Sequence, residues 1–253
     1  MRFLVALNFL TIIRAPWRRE VSPEELGRSL SYFPVVGIVI GLILVGLNWG
    51  LSLILPSSVA NILLIVSLTL ISGALHIDGF IDTCDGIAGH KTVEARWQVM
   101  RDSRVGGFGV VGACLLLLVK YISLNNVPEP ILMTTLIIMP AVSRWAMVYA
   151  IFAYPYARPS GLGKVFKQET SWPRLLMATL ISLAVVILAG LAGLAIILGL
   201  AIMLGVWIMV LIMATYLKRK FAGLTGDTYG AINEAAEVGI LILVCLLARL
   251  GLA

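Results

Sequence analysis

LLMATLISLAVVILAGLAGLAIILGLAIMLGVWIMVLIMATYL, Leu175–Leu217, runs for 43 residues without a charged side chain. At 1.5 Å per residue a single helix of that length would far exceed a bilayer core about 30 Å thick. The stretch therefore predicts two membrane-crossing helices with a hairpin near Ala189-Gly190-Leu191-Ala192-Gly193, and Lys218-Arg219-Lys220 stops the second of them.

The same pattern extends outward in both directions. Apolar runs over Phe33–Leu55, Val59–Leu75, Gly106–Leu124 and Ile131–Phe152 predict four earlier spans, and a final one follows the polar motif Gly226–Glu237 and runs to the C-terminus. Gly37, Gly41, Gly46 and Gly50 offer the first span sites for close helix packing. Hydrophobic residues make up 60% of the 253, charged residues 13%, and mean hydropathy is +1.02. Together these predict one all-α domain over 1–253, a polytopic membrane helix bundle of about seven transmembrane helices plus short interfacial amphipathic helices. Two of the short helices are Met1–Ile13, with Trp17, Arg18 and Arg19 at headgroup level, and the charged segment 91–105. Ser22-Pro23-Glu24-Glu25 reads as another helix start. Cys84, Cys114 and Cys245 lie far apart and make no disulfide or zinc pattern.

A net charge of +6 would suggest nucleic acid in a soluble chain. Here segments 1–32, 76–105, 153–174 and 214–234 hold 16 of the 19 Lys and Arg, and the intervening turns hold none. The positive-inside rule places those segments in the cytoplasm and explains the charge through membrane lipid and anionic substrate, with no nucleic acid.

Two acidic motifs then face one compartment. In His76-Ile77-Asp78-Gly79-Phe80-Ile81-Asp82-Thr83-Cys84-Asp85-Gly86 the aspartates stand at i, i+4 and i+7, on one face of a helix. The second motif carries Asp227, Asn233, Glu234 and Glu237. Carboxylates this close repel unless a cation offsets them, and a few carboxylates with water and phosphate oxygens suit Mg²⁺. The plainer alternative is that they are solvated loop acids or charges favoured by helix N-termini. Arg101-Asp102-Ser103-Arg104 before Gly106-Gly107-Phe108-Gly109 reads as a phosphate cradle at a helix start, or simply as a basic membrane anchor. Arg144, about 10 Å deep in its span, calls for a partner or a function. His76 and His90 flank the aspartates, as candidate bases or as hydrogen-bonding boundary residues, and Lys164 and Lys167 are candidates for anion contact or plain solvated lysines.

Taken with their order and the span pattern, His-x-Asp-Gly-x-x-Asp-Thr-x-Asp-Gly, Met100-Arg101-Asp102-Ser103-Arg104-x-Gly-x-Phe-Gly and Gly226-Asp227-x-x-Gly-Ala-x-Asn-Glu234 resemble the cobalamin (5′-phosphate) synthases, the adenosylcobinamide-GDP ribazoletransferases. The resemblance covers nearly the whole chain. It implies a Mg²⁺-dependent inner-membrane transferase whose substrates are adenosylcobinamide-GDP and α-ribazole or its 5′-phosphate, with GMP as leaving group. It implies Asp78, Asp82, Asp85, Asp227, Glu234 and Glu237 around metal, and Asp82, Asp85 and His76 in catalysis. Arg101, Asp102, Ser103, Arg104, Arg144, Lys164 and Asn233 would contact substrate. Self-association into a homo-oligomer stays open.

A looser similarity to CDP-alcohol phosphotransferases rests on Asp82-Thr83-Cys84-Asp85-Gly86, but the Ala-Arg and later D-x-x-x-D of that family are missing. A transporter would place its acids near the midplane of repeated halves, and no repeat is visible.

Overall fold

The computed structural model describes residues 1–14, 21–89, 92–191 and 196–251, and its named elements are helices. In chain order these are α1 (Arg2–Leu10), α2 (Pro23–Arg28), a 3-10 turn (Ser29–Tyr32), α3 (Phe33–Ser52), α4 (Ser57–Ile71), α5 (Leu75–Ile87) and α6 (Val93–Val99). They continue with α7 (Gly107–Asn125), α8 (Glu129–Ala153), α9 (Leu162–Glu169), α10 (Trp172–Ala189), α11 (Ile196–Phe221) and α12 (Gly226–Arg249). Among the described residues six helices are long and apolar enough to cross a membrane, or up to seven if α4 and the sharply bent α5 are counted as one span. Leu42, Leu70, Val111, Leu188, Ile197 and Ile212 turn outward, as lipid-facing side chains do. The protein is an all-α polytopic helix bundle integral to the membrane.

α8 is the most enclosed of the spans. It is gripped by α3, where a Cβ on Gly37 would lie 2.2 Å from the Pro140 carbonyl oxygen and one on Gly41 would lie 2.6 Å from Ile137 Cα. Only backbone without side chains can approach that closely. Gly46 and Gly50, expected to serve the same purpose, face open space.

The expected second span ends early. α4 closes at Ile71 with a Schellman motif: Ala74 N–H donates to Thr69 O (2.9 Å), Gly73 N–H to Leu70 O (2.9 Å), and Gly73 sits at φ 60°. Ala74 is left-handed too, at φ 56°, and α5 leaves at 89° to α4. At 13 residues α5 is about 20 Å long, too short to cross. It is not one of the six spans, and it packs across the starts of α7 and α12.

Other short segments fold tightly onto the same end. The helix start expected at Ser22-Pro23-Glu24-Glu25 is α2, where Ser22 and Glu25 form a reciprocal capping box. α1 turns Ala6 and Leu10 fully inward, and Ile12 N–H donates to Ile71 O (2.8 Å). Residues 15–20, with Trp17, Arg18 and Arg19, lie outside the described residues, as do His90, Lys91 and residues 192–195 of the α10–α11 hairpin. The charged segment 91–105 is helical only over Val93–Val99. Arg96, expected on its solvated face, is buried and donates to the carbonyls of Gly86 (2.8 Å) and Ile87 (2.6 Å), capping α5.

Candidate active site

The site begins where α5 crosses α12. A Cβ on Gly79 would lie 2.7 Å from the Asp227 carbonyl oxygen, and one on Gly230 would lie 3.0 Å from that of His76. Two glycines, one per helix, thus bring the first aspartate motif against the start of the second. Thr225 caps α12 through a box with Thr228 and leaves Asp227 in the first turn, where an acid is favoured.

A cavity of about 450 Å³ opens at this crossing, with Asp78, Asp227, Arg101 and Arg158 on its polar side. Arg158 is delivered by the loop after α8. Ala157 N–H donates to Leu224 O and Leu224 N–H to Pro155 O, each at 2.8 Å, which stitches that loop to the α11–α12 turn. The Arg158 guanidinium then meets Asp227 at 2.8 Å. Asp82 is half-buried beside them. Burial, then the neighbouring Asp227 and Asp78, push its carboxyl up to about 7. Negative charge exceeds positive charge here, which is the condition a hard cation relieves.

The six carboxylates expected around metal are separated. Among the described residues no three His, Cys, Asp or Glu are grouped closely enough to hold an ion by themselves. Asp78, Asp82 and Asp227 stay together, and the other three are committed elsewhere. Asp85 turns from its two helix neighbours to the start of α7, where Gly106 N–H and Gly109 N–H each donate to one carboxylate oxygen at 2.8 Å. The expected phosphate cradle is therefore filled by an anion of the chain itself, for the reason a phosphate would go there.

Glu234 and Glu237 lie deeper along α12. Lys120 of α7 donates to Glu234 (2.6 Å) and Glu237 (2.7 Å), and Arg144 of α8 pairs with the other oxygen of Glu237. All four are buried, and two cations match two anions. Asn233, expected to touch substrate, belongs to this cluster: its amide nitrogen donates to Glu237 (3.1 Å) and meets His76 Nδ1 at 3.2 Å. Glu237 can only accept, so the amide nitrogen faces it, and His76 Nδ1 must then be an acceptor too. His76 then carries its proton on Nε2, which has no partner among the described residues.

Of the remaining candidates, Arg101 lines the cavity. Arg104 is exposed and closes on Asp102 through two hydrogen bonds, at 2.7 and 3.0 Å, and Ser103 is exposed as well. Lys164 donates to Pro159 O (2.7 Å) and Lys167 to the last carbonyls of α8, Ile151 (3.0 Å) and Phe152 (2.8 Å).

The profile of the cobalamin-5-phosphate synthase family matches residues 2–246. The chain belongs to that family. Among curated relatives, an adenosylcobinamide-GDP ribazoletransferase of Geotalea daltonii is 38% identical over 237 residues, 93% of each chain. One of Desulforamulus reducens is 37% identical, covering 96% of this chain and 95% of the relative. One of Roseiflexus sp. is 35% identical, covering 92% and 85%. No solved structure gives a significant match.

In this cobalamin-5-phosphate synthase family member the sequence motifs find the acids but miss their partners. Lys120 lies inside an apolar run, and its charge alone was the available signal. Arg158 and Tyr156 sit in a polar loop with no motif, and only the bridge to Leu224 carries them to the cavity. The cavity lining also carries an aromatic cluster: Phe9, Phe33 and Phe166 come from α1, α3 and α9, and no local pattern links them.

Proposed function

We propose that this protein is a transferase of the last stage of cobalamin synthesis, joining adenosylcobinamide-GDP and α-ribazole, or its 5′-phosphate, with release of GMP. Family membership supports the reaction. The single structural observation that supports its location is the cavity where Asp78 and Asp227 stand with Arg101 and Arg158 beside them.

In this reading a free ring hydroxyl of the ribazole ribose, one that a 5′-phosphate leaves unblocked, attacks the phosphorus bearing cobinamide. A P–O bond forms there, the P–O bond to the GMP phosphate breaks, and GMP departs with the electron pair. Arg101 and Arg158 hold phosphate oxygens by charge-assisted hydrogen bonds and carry charge on the departing group. Asp82, whose carboxyl titrates near neutrality, is suited to take the hydroxyl proton. Asp78 and Asp227 are hard oxygen donors in a region of surplus negative charge and fit Mg²⁺ held jointly with substrate phosphates. When bound, that ion supplies charge neutralisation and orients the diphosphate. The cavity end of the bundle is built from the segments that carry 16 of 19 Lys and Arg, which supports an active site facing the cytoplasm from the inner membrane.

The test is purified protein in lipid nanodiscs with adenosylcobinamide-GDP, α-ribazole and Mg²⁺, assayed for GMP. GMP formed in step with the cobalamin product, and lost with EDTA, is the expected result. No GMP with any divalent cation would refute the reading.

A further inference from the structure

The polar side of the cavity accounts for phosphates and leaves its other side unexplained. Phe9, Phe33 and Phe166 meet there, with ring centroids 4.9 Å (Phe9–Phe166), 5.5 Å (Phe33–Phe166) and 6.1 Å (Phe9–Phe33) apart. Met147, Ile151 and Leu162 complete the apolar surface. These rings do not serve as lipid anchors: Phe33 and Phe166 are buried and line an internal space. Tyr229 lines it as well, and its buried hydroxyl has no hydrogen-bond partner among the described residues. A buried hydroxyl without a partner is costly unless a ligand completes it.

We infer that the aromatic side is the subsite for the planar base of the acceptor nucleoside, and that the corrinoid donor stays outside, extending only its diphosphate into the polar side. The inference rests on the transferase reading above and adds which substrate fills which half. Size supports the division, because about 450 Å³ is the scale of a pocket that encloses a small organic ligand. A corrin ring with its side chains and a guanosine diphosphate is far larger than that. Chemistry supports it as well. An uncharged aromatic base stacks on ring faces, and losing one such contact weakens binding by about fivefold to 150-fold. With the base among the phenylalanines, the part of the cavity lined by Asp78 and Asp227 is left for the sugar, and its hydroxyl meets phosphate there. Tyr229 is then placed to donate to, or accept from, the nucleoside.

Phe9 is the best probe, because it is only half-buried and sits on the short α1. Phe9→Ala should raise the KM for α-ribazole by about tenfold, with the KM for adenosylcobinamide-GDP unmoved. Phe9→Leu keeps apolar bulk without the ring and gives the same split where the alanine variant fails to insert. Calorimetry with α-ribazole alone, without donor, should show binding to the wild type and weaker binding to either variant. An unchanged acceptor KM, or a shift in the donor KM instead, overturns the assignment, and so does calorimetric binding that ignores Phe9. Displacement of α-ribazole by added phospholipid at constant Phe9 dependence would mark the subsite as a lipid groove and overturn it too. Should the wild type release no GMP, the transferase reading fails, and the calorimetry still decides whether a nucleoside occupies the aromatic half.

Discussion

Two groups of charges lie along α12, and they are built on opposite principles. The inner group, Lys120, Arg144, Glu234 and Glu237, is buried and balanced, two cations against two anions within hydrogen-bonding distance. The outer group is Asp78 and Asp227, which line the cavity, with Asp82 beside them, three carboxyls against Arg101 and Arg158. Buried ions are tolerated only when paired and hydrogen-bonded, so the inner group satisfies itself and holds α7, α8 and α12 in register. The outer group is left incomplete, which is how a chain holds a place for charge that arrives with a ligand. Acidic residues in one motif thus differ by what faces them, buried cations in one set and an open cavity in the other.

The contrast can be broken from the inside first. Lys120→Met leaves two buried carboxylates sharing one arginine and should cost about 3–5 kcal/mol, read as loss of folded protein in detergent unfolding. Adding Glu234→Gln removes the surplus charge and should recover a large part of that loss. At the outer group the signature reverses. Asp78→Asn should lower GMP release by about a hundredfold or more with the unfolding midpoint nearly unchanged. Gly79→Ala, whose Cβ meets rigid backbone at Asp227, should force α5 from α12 and cost about 1–3 kcal/mol, with activity lost in parallel. Arg101→Ala should raise the KM for the diphosphate substrate by about tenfold, while the Asp102-paired Arg104→Ala leaves it unmoved.

The smallest effect is a pH slope. Asp82 titrates near 7 folded and near about 3.9 unfolded, so between those values the folded state binds the extra proton. Stability therefore falls as pH rises across that window and levels off above it. Asp82→Asn should flatten the slope, and Mg²⁺ should raise the wild-type midpoint more at pH 8 than at pH 5. Thermal unfolding at the two pH values, with and without the ion, measures both.

Span count, membrane character and family were legible in the sequence, because they rest on run length, loop charge and motif order, all local properties of the chain. The uncharged 43 residues of Leu175–Leu217 demand two crossings wherever they are placed. Spacing also put Asp78, Asp82 and Asp85 on one helix, and the helix is there. What spacing could not decide is what each side chain meets. Asp85 and Asp82 are three residues apart, yet one fills the start of α7 and the other is pushed toward neutrality beside Asp227. Glu234 and Glu237 read as ligands until Lys120 and Arg144, more than ninety residues away in sequence, turn out to be their partners. Arg158 and the three phenylalanines carry no motif at all. Electrostatic and packing energies depend on distance in space, and only the folding of distant segments onto one end of the bundle sets those distances.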